Sequence, residues 1–207
     1  MENRMRRSFF GGVRCRRCLS CLKTAEVPAE GRASQTLGIP VFLHNVKEAH
    51  VHAFQIRALP LEQFKELFPL SDAQLAERGA RRYIADEKPG FPCRVSLVDA
   101  EIGESVILLA FTHHDVASPY RASGPIFVRE QAEEARLDVN EVPEVVRRRL
   151  MSIRAYDGTG MMIAADITEG TNLEQRIERF FANDRVAYLH LHNAKPGCYS
   201  CFVEPVT

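Results

Sequence analysis

The segment that most constrains the fold lies near the end of the chain, where residues 186–193 alternate between apolar and polar or aromatic side chains. Alternation with a period of two is typical of a β-strand that has one face on a core. Lys195-Pro-Gly-Cys198 supplies the turn that follows, because proline before glycine suits a type II turn. With residues 199–204 as the returning strand, the pattern predicts an antiparallel hairpin that carries His190 and His192 on one face.

From residue 51 onward the chain carries short strand and helix patterns. Predicted strands cover residues 53–58, 82–85, 94–98, 106–111, 125–129, 151–157 and 161–167. Apolar stripes and caps predict helices at residues 61–68, 71–78, 143–149 and 171–182, the last with a capping box at Thr171-Asn-Leu-Glu174. Because strands cluster in hairpins and helices are short, we predict an α+β fold, a mostly antiparallel sheet of hairpins with three or four short helices packed on it.

The hairpin around residues 158–160 has a register that follows from its side chains. A three-residue loop there separates a wholly apolar face from a mostly polar one, as a hairpin lying on a core requires. The cross-strand pairs that this loop predicts are Tyr156 with Met162, Arg154 with Ala164 and Ser152 with Asp166.

The first fifty residues differ in charge from the rest. Residues 1–50 hold nine Lys and Arg against four Asp and Glu, a net charge of 9 − 4 = +5. The remainder holds 27 − 9 = 18 basic and 27 − 4 = 23 acidic residues, a net charge of −5. We predict a poorly structured basic extension over residues 1–50 and a single globular domain over residues 51–207. A GUG codon at Val51 would make that position the true start, with the extension lying upstream of it.

Composition also bears on the compartment and the partners. Lys and Arg balance Asp and Glu at 27 each, which argues against nucleic acid and membrane surfaces as partners. No apolar run reaches membrane-spanning length, and no secretory signal is recognisable. We therefore expect a cytoplasmic protein whose six cysteines are reduced thiols. Cys15, Cys18 and Cys21 are spaced like the thiolate ligands of zinc and iron–sulfur sites, but they lack a fourth ligand, so no site is predicted there.

The two histidines of the C-terminal hairpin are the first candidate site. Their Cβ atoms lie roughly 7 Å apart on one strand face, so both imidazoles reach one metal ion at about 2 Å. If Lys195 opposes Cys198 across the turn, His192 opposes Cys201. The resulting cluster predicts a divalent metal site with His190, His192 and Cys201 as ligands, or two catalytic histidines that carry protons. The alternative is a half-solvated strand face with two ordinary histidines.

The polar loop between residues 113 and 123 is the second candidate. It offers imidazole, hydroxyl and guanidinium groups, and a guanidinium binds a carboxylate or phosphate through two parallel hydrogen bonds. The residues predicted to bind such a small anionic molecule are Ser118, Tyr120, Arg121 and Ser123, together with Arg94 outside the loop. Alternatively, the loop is a polar crossover whose arginine pairs with the acidic loop near Glu101.

Five longer sequence motifs of the chain together resemble those of a known protein family. They are Phe54-x-Ile-Arg-x-Leu-Pro60, Lys88-Pro-Gly-Phe-Pro-Cys-Arg-Val-Ser-Leu97, Ser118-Pro-Tyr-Arg-Ala-Ser-Gly-Pro-Ile-Phe-Val-Arg-Glu130, Ile153-Arg-Ala-Tyr-Asp-x-x-Gly-Met-Met162 and Val186-Ala-Tyr-Leu-His-Leu-His-Asn-Ala-Lys-Pro-Gly-Cys198. Together they resemble a bacterial family named as the domain of unknown function 1203, over about residues 53–204. The resemblance implies a compact, single-domain bacterial protein of the cytosol whose relatives lack a counterpart of residues 1–50. The resemblance implies no particular activity and assigns no catalytic role to any residue.

Two hypotheses of function follow from these patterns. In the first, the domain binds a small anion or a metal, or is an enzyme, with its site on the histidine strand and the polar loop. In the second, it is a non-catalytic interaction module that uses an exposed sheet face. A homodimer through a sheet edge is compatible with either hypothesis.

Overall fold

A computed structural model describes residues 52–206 of the chain. The predicted basic extension, the start at Val51 and the three-cysteine motif lie outside these residues. Within them the chain forms eight strands in two antiparallel sheets with a few short helices, so the predicted α+β class is confirmed. The strands are β1 (Phe54–Arg57), β2 (Arg81–Ile84), β3 (Ser105–His114), β4 (Ala122–Arg129), β5 (Leu150–Tyr156), β6 (Met162–Glu169), β7 (Tyr188–Asn193) and β8 (Tyr199–Pro205).

Three of the four predicted helices form in the described residues. They are α1 (Asp72–Glu77), α2 (Glu144–Arg147) and α3 (Leu173–Phe181). The predicted helix at residues 61–68 is wrong: two 3₁₀ turns, Leu61–Gln63 and Lys65–Leu67, take its place. A three-residue repeat puts Phe64 and Leu67 on the same side, and both side chains are buried. No helix of the described part is long and apolar enough to cross a membrane.

The larger sheet has the strand order β1-β8-β7-β5-β6 and buries one face under α2 and α3. This core face carries Ile153, Leu189, Leu191 and Val203, each 0% exposed. From α3, Leu173 and Ile177 pack into the same cluster. The burial of these side chains is the main favourable term in folding this half of the molecule.

The smaller sheet has the order β2-β3-β4 and its own core. Ile107 from β3 and Ile126 from β4 pack there against Phe64 and against Leu75 of α1. Ser71 begins α1 as predicted, because its hydroxyl accepts from the backbone N–H of Gln74 while the Gln74 side chain accepts from the Ser71 backbone.

The register of the β5–β6 hairpin differs from the prediction after its first pair. Tyr156 pairs with Met162 as predicted, but a bulge between Ala155 and Tyr156 shifts every later pair by one residue. The structure pairs Arg154 with Ala165 and Ser152 with Ile167, so the predicted pairs with Ala164 and Asp166 are wrong. A one-residue shift moves side chains to the other face, which explains why Ile167 is 60% exposed.

Two further local predictions are wrong. Residues 94–98 form no strand, because the segment turns back on itself through Leu97 at φ 48°, and the isolated bridges lie outside it, at Pro92, Cys93 and Asp99. Asn172, not Thr171, begins α3, and no side chain caps it. Gly170 instead lies against α2, where an added Cβ would meet the carbonyl oxygen of Val146 at 2.2 Å. The start of α3 is therefore held by close backbone packing and not by a capping box.

Candidate metal centre

The β7 strand presents its two histidines on the face of the larger sheet that lies opposite the core face. Their cross-strand neighbours on β5 are Arg154 and Ser152, and those on β8 are Phe202 and Tyr199. Because side chains alternate along a strand, His190 and His192 share this side. Both are buried, with His190 3% and His192 0% exposed. We call this side the histidine face.

The predicted pairing of the last two strands is wrong by one residue. Cys201 pairs with Leu191 and lies in the core cluster, so it does not face the imidazoles. The turn holds four residues, 194–197, where the prediction had two: the Asn193 N–H donates to the Cys198 carbonyl at 2.9 Å. A register shift between Leu191 and His192 then brings Tyr199 opposite His192. The His/His/Cys cluster does not form, because a one-residue slip exchanges the two faces of a strand.

A third histidine reaches the same place from β3. The sequence predicted His113 and His114 in a loop, but β3 continues through His114. A register shift between Thr112 and His114 inserts an extra residue, and such a bulge redirects the side chains beside it. As a result the ring of His113 lies 5.0 Å from that of His192 and 5.9 Å from that of His190, between centroids.

One nitrogen from each of His113, His190 and His192 lies within 4.8 Å of the other two. Ligands held at 2.0–2.1 Å in a tetrahedral site stand about 3.3 Å apart, so an ion would draw the three nitrogens together by up to about 1.5 Å. The three imidazoles are therefore close enough together to be candidate ligands of one ion.

Hydrogen bonding shows which ring nitrogens are free to bind. Nδ1 of His192 lies 3.0 Å from the Gly197 carbonyl oxygen and donates to it, which leaves the lone pair on Nε2. That Nε2 is buried and has no hydrogen-bond partner among the described residues, and the same holds for Nδ1 of His113 and Nδ1 of His190. A ring N–H bound to a backbone carbonyl is the usual support of a metal-binding histidine.

Burial keeps these imidazoles neutral. It lowers the pKa of His113 to about 4, of His190 to about 2 and of His192 to about 3. The positive charge of Arg154 lowers the pKa of all three further. Since a metal binds the deprotonated ring, all three rings are in the binding form at neutral pH.

His114 touches the same cluster and has a different role. Its Nδ1 lies 2.7 Å from the Tyr120 carbonyl oxygen and donates to it, while its Nε2 accepts from the Tyr188 hydroxyl at 2.8 Å. Both nitrogens are therefore used. The ring packs 4.1 Å from that of Tyr156 and 4.9 Å from that of His190, between centroids. His114 therefore positions the walls of the cluster and offers no lone pair to an ion.

The predicted anion-binding loop is engaged with itself and its neighbours. Arg121 pairs with Asp115 at 2.8 Å and both side chains are largely exposed, so its predicted partner near Glu101 is wrong. The Ser118 hydroxyl donates to the Gly160 carbonyl at 2.8 Å. Ser123 hydrogen-bonds Thr112 across the strands. Tyr120 contributes its carbonyl to His114, so the loop's observed contacts hold the β3–β4 connection in place.

Arg94, the remaining predicted binding residue, lies elsewhere and is buried, at 3% exposure. Its Nε donates to the Tyr199 carbonyl at 2.8 Å, and Nη1 donates to the Pro92 carbonyl. The Tyr199 ring in turn stacks on His113, with centroids 5.0 Å apart. Arg94 therefore supports one wall of the histidine cluster from behind.

The fold and the histidine cluster together define an α+β protein with a candidate three-imidazole centre between its sheets. A family model described as "Protein of unknown function (DUF1203)" matches residues 90–204, more than half of the chain. The chain belongs to this family, and the matched region contains all three histidines and Arg94. Comparison with curated proteins and with solved structures found no match.

Proposed function

We propose that this protein binds one divalent transition metal ion, with zinc as the best fit, through His113, His190 and His192. The observation that supports this most is the closeness of three histidines, one nitrogen of each lying within 4.8 Å of the others. Each of these histidines also buries a ring nitrogen that has no hydrogen-bond partner in the described residues. Unsatisfied buried polar atoms are costly, and a bound cation would satisfy nitrogens of this kind. An all-imidazole set suits zinc, copper, iron or nickel and does not suit magnesium or calcium.

Three protein ligands leave the fourth position of a tetrahedral site for water or substrate, which is the pattern of catalytic zinc sites. A metal in such a site lowers the pKa of bound water to about 7 and polarises carbonyl or phosphoryl oxygens. Arg154 is adjacent to His190 on the same face and forms no ion pair within the described residues. A guanidinium beside the ion would stabilise a negative charge that develops there, so we propose hydrolysis or hydration as the class of reaction.

The test is metal analysis of the full-length chain. Purified protein should carry or take up one equivalent of Zn²⁺, measured by plasma mass spectrometry and by titration against a chromophoric chelator. Substituted Co²⁺ should show the intense visible absorption of a tetrahedral nitrogen site. His113→Ala, His190→Ala and His192→Ala should each weaken binding about 10-fold or more, because two imidazoles hold an ion far less well than three.

Two controls separate this centre from other ligands in the chain. His114→Gln should retain the metal, since both nitrogens of that ring are already used. A variant with Cys15, Cys18 and Cys21 changed to serine should also retain it. If the serine variant loses the metal, or if all three histidine variants keep it, the proposed centre is wrong. A chain that takes up no metal would favour the interaction-module hypothesis.

A further inference from the structure

A second site is suggested by a cleft of about 520 Å³ that the histidine centre does not use. Its walls are mostly apolar, with Leu108, Phe127, Leu150 and Pro196 among the lining residues. A volume of this size suits a small organic molecule, and mostly apolar walls with a few placed polar groups are typical of ligand pockets.

The charged lining of the cleft is entirely positive. Arg94, Arg148, Arg149 and Lys195 line it, and no carboxylate of the described residues does. Arg148 is neutralised by Glu144, and Arg149 is neutralised by Asp99 through two contacts of 2.6 and 3.0 Å. Arg94 and Lys195 form no ion pair within the described part of the chain. The cleft therefore has an excess of two positive charges.

Arg94 is the unusual member of this set. It is 3% exposed, and its burial lowers its pKa to about 10. Its hydrogen bonds from Nε and Nη1 go to backbone carbonyls, which satisfy donors but do not cancel a charge. A buried charge is expensive unless it is paired, so a purely structural role would be served better by a neutral side chain. Nη2 forms no hydrogen bond to a described residue, and Arg94 lines the cleft.

Asn193 adds an independent observation at the same place. It lines the cleft and is 6% exposed, and its Oδ1 is buried without a partner among the described residues. Buried side-chain amides are normally satisfied by protein or by a bound molecule. The Asn193 oxygen accepts hydrogen bonds, so it suits a hydroxyl or N–H on the body of a ligand and not the oxyanion, whereas Arg94 supplies the donors for the oxyanion.

We propose that this cleft binds a small organic oxyanion, a carboxylate or a phosphate monoester. The headgroup lies on Arg94 with Lys195 beside it, and the apolar body of the ligand lies along Leu108, Phe127 and Leu150. A guanidinium favours this headgroup because it offers planar, charge-assisted donors. The site is separate from the proposed metal centre and needs no ion.

Calorimetric titration of the full-length protein with phenylacetate and with phenyl phosphate tests the proposal, and phenylacetamide serves as the neutral analogue. We expect at least one anion to bind and the amide to bind at least 10-fold more weakly. Comparison of the two anions distinguishes a carboxylate site from a phosphate site. Equal binding of the amide and both anions, or no binding of any of the three, overturns the proposal.

Variants locate the headgroup. Arg94→Gln should weaken anion binding at least 10-fold. Because that variant removes buried hydrogen bonds and could unfold, Lys195→Glu is the second test: Lys195 lies exposed in the turn. It should weaken binding several-fold, whereas Lys65→Glu, the same charge change at an exposed position that does not line the cleft, should not. Equal losses in Lys195→Glu and Lys65→Glu would mean that the anion responds only to net charge.

Cys198 provides a reporter inside the cleft, since it lines the wall and is partly exposed while Cys93 and Cys201 are buried. The anion that binds should slow the alkylation of Cys198 by iodoacetamide, measured by peptide mass spectrometry, and the slowing should persist in EDTA and in His190→Ala. Protection that disappears in both would place the anion on the metal centre and refute the cleft as its site.

Discussion

Along β7 the two faces of the larger sheet are equally buried and chemically opposite. On β7 alone, Leu189 and Leu191 point to the core face while His190 and His192 point to the histidine face, and none of the four is more than 3% exposed. The two leucines are apolar and leave no polar atom to satisfy. His190 and His192 each bury a ring nitrogen with no partner in the described residues, and His113 of β3 adds a third. Burial alone therefore does not mark a core, and the satisfaction of polar atoms separates the apolar face from the face that carries the proposed site.

Acidification of the metal-free protein should produce the largest difference, because it charges the three clustered histidines and no side chain of the apolar core face. The pKa values of His113, His190 and His192, about 4, 2 and 3, lie below the ordinary 6.5. The unfolded chain therefore takes up protons first. Stability that is fully present above about pH 6.5 is lost as the pH falls below it. Urea unfolding in EDTA at pH values from about 7.5 to about 4.5 measures this loss.

The two faces should respond differently in that experiment. Leu191→Ala should lower the curve of stability against pH without changing its slope, since leucine does not titrate. A double variant with His190→Leu and His192→Leu should flatten the slope between about pH 6.5 and 4.5. If the double variant keeps the wild-type slope, the acid sensitivity does not come from the histidine face.

Single substitutions at neutral pH sharpen the contrast. Leu191→Ala should cost about 2–5 kcal/mol of unfolding free energy, because it leaves a cavity in a packed core. In the metal-free protein His190→Leu should cost less than about 1 kcal/mol or should stabilise, since it removes a buried polar atom that has no partner. Urea denaturation at about pH 7.5 compares them. Equal costs for the two changes would mean that the histidine face is packed and satisfied like the core.

The smallest effect concerns the support of the cluster. Tyr188→Phe removes the hydroxyl that donates to Nε2 of His114 and should cost about 1 kcal/mol. Tyr120→Phe is the matched control, because the Tyr120 hydroxyl forms no hydrogen bond within the described residues. Thermal unfolding in EDTA compares the two. If both variants lose the same stability, the His114–Tyr188 bond does not support the histidine face.

The sequence predicted the elements of the fold better than their registers. Alternation along residues 186–193 was enough to place His190 and His192 on one buried side, because strand periodicity is a local property. The bulges in β5, in β3 and between β7 and β8 depend on tertiary contacts, so no local sequence pattern predicted them. Each bulge shifts a strand by one residue, and each shift exchanged faces. For this reason Cys201 was predicted in the site and His113 outside it.

A clue to His113 was nevertheless present. The apolar run of β3 keeps its period through Leu109 and Phe111, and the next step of two falls on His113. Extending that strand by one period would have placed an imidazole at its end. Arg94 was predicted to bind an anion, but the cleft in which it lies is built by segments far apart in the chain and could not be predicted from the sequence.

Because the register places Cys201 in the core, an ion bound at the proposed centre would have no thiolate ligand. A thiolate ligand would cancel one unit of an ion's charge, whereas three neutral imidazoles cancel none. An ion held by His113, His190 and His192 would keep its full double charge and act as a stronger electrophile than one in a sulfur-containing site. Oxidants that attack sulfur would find nothing to react with among these three ligands.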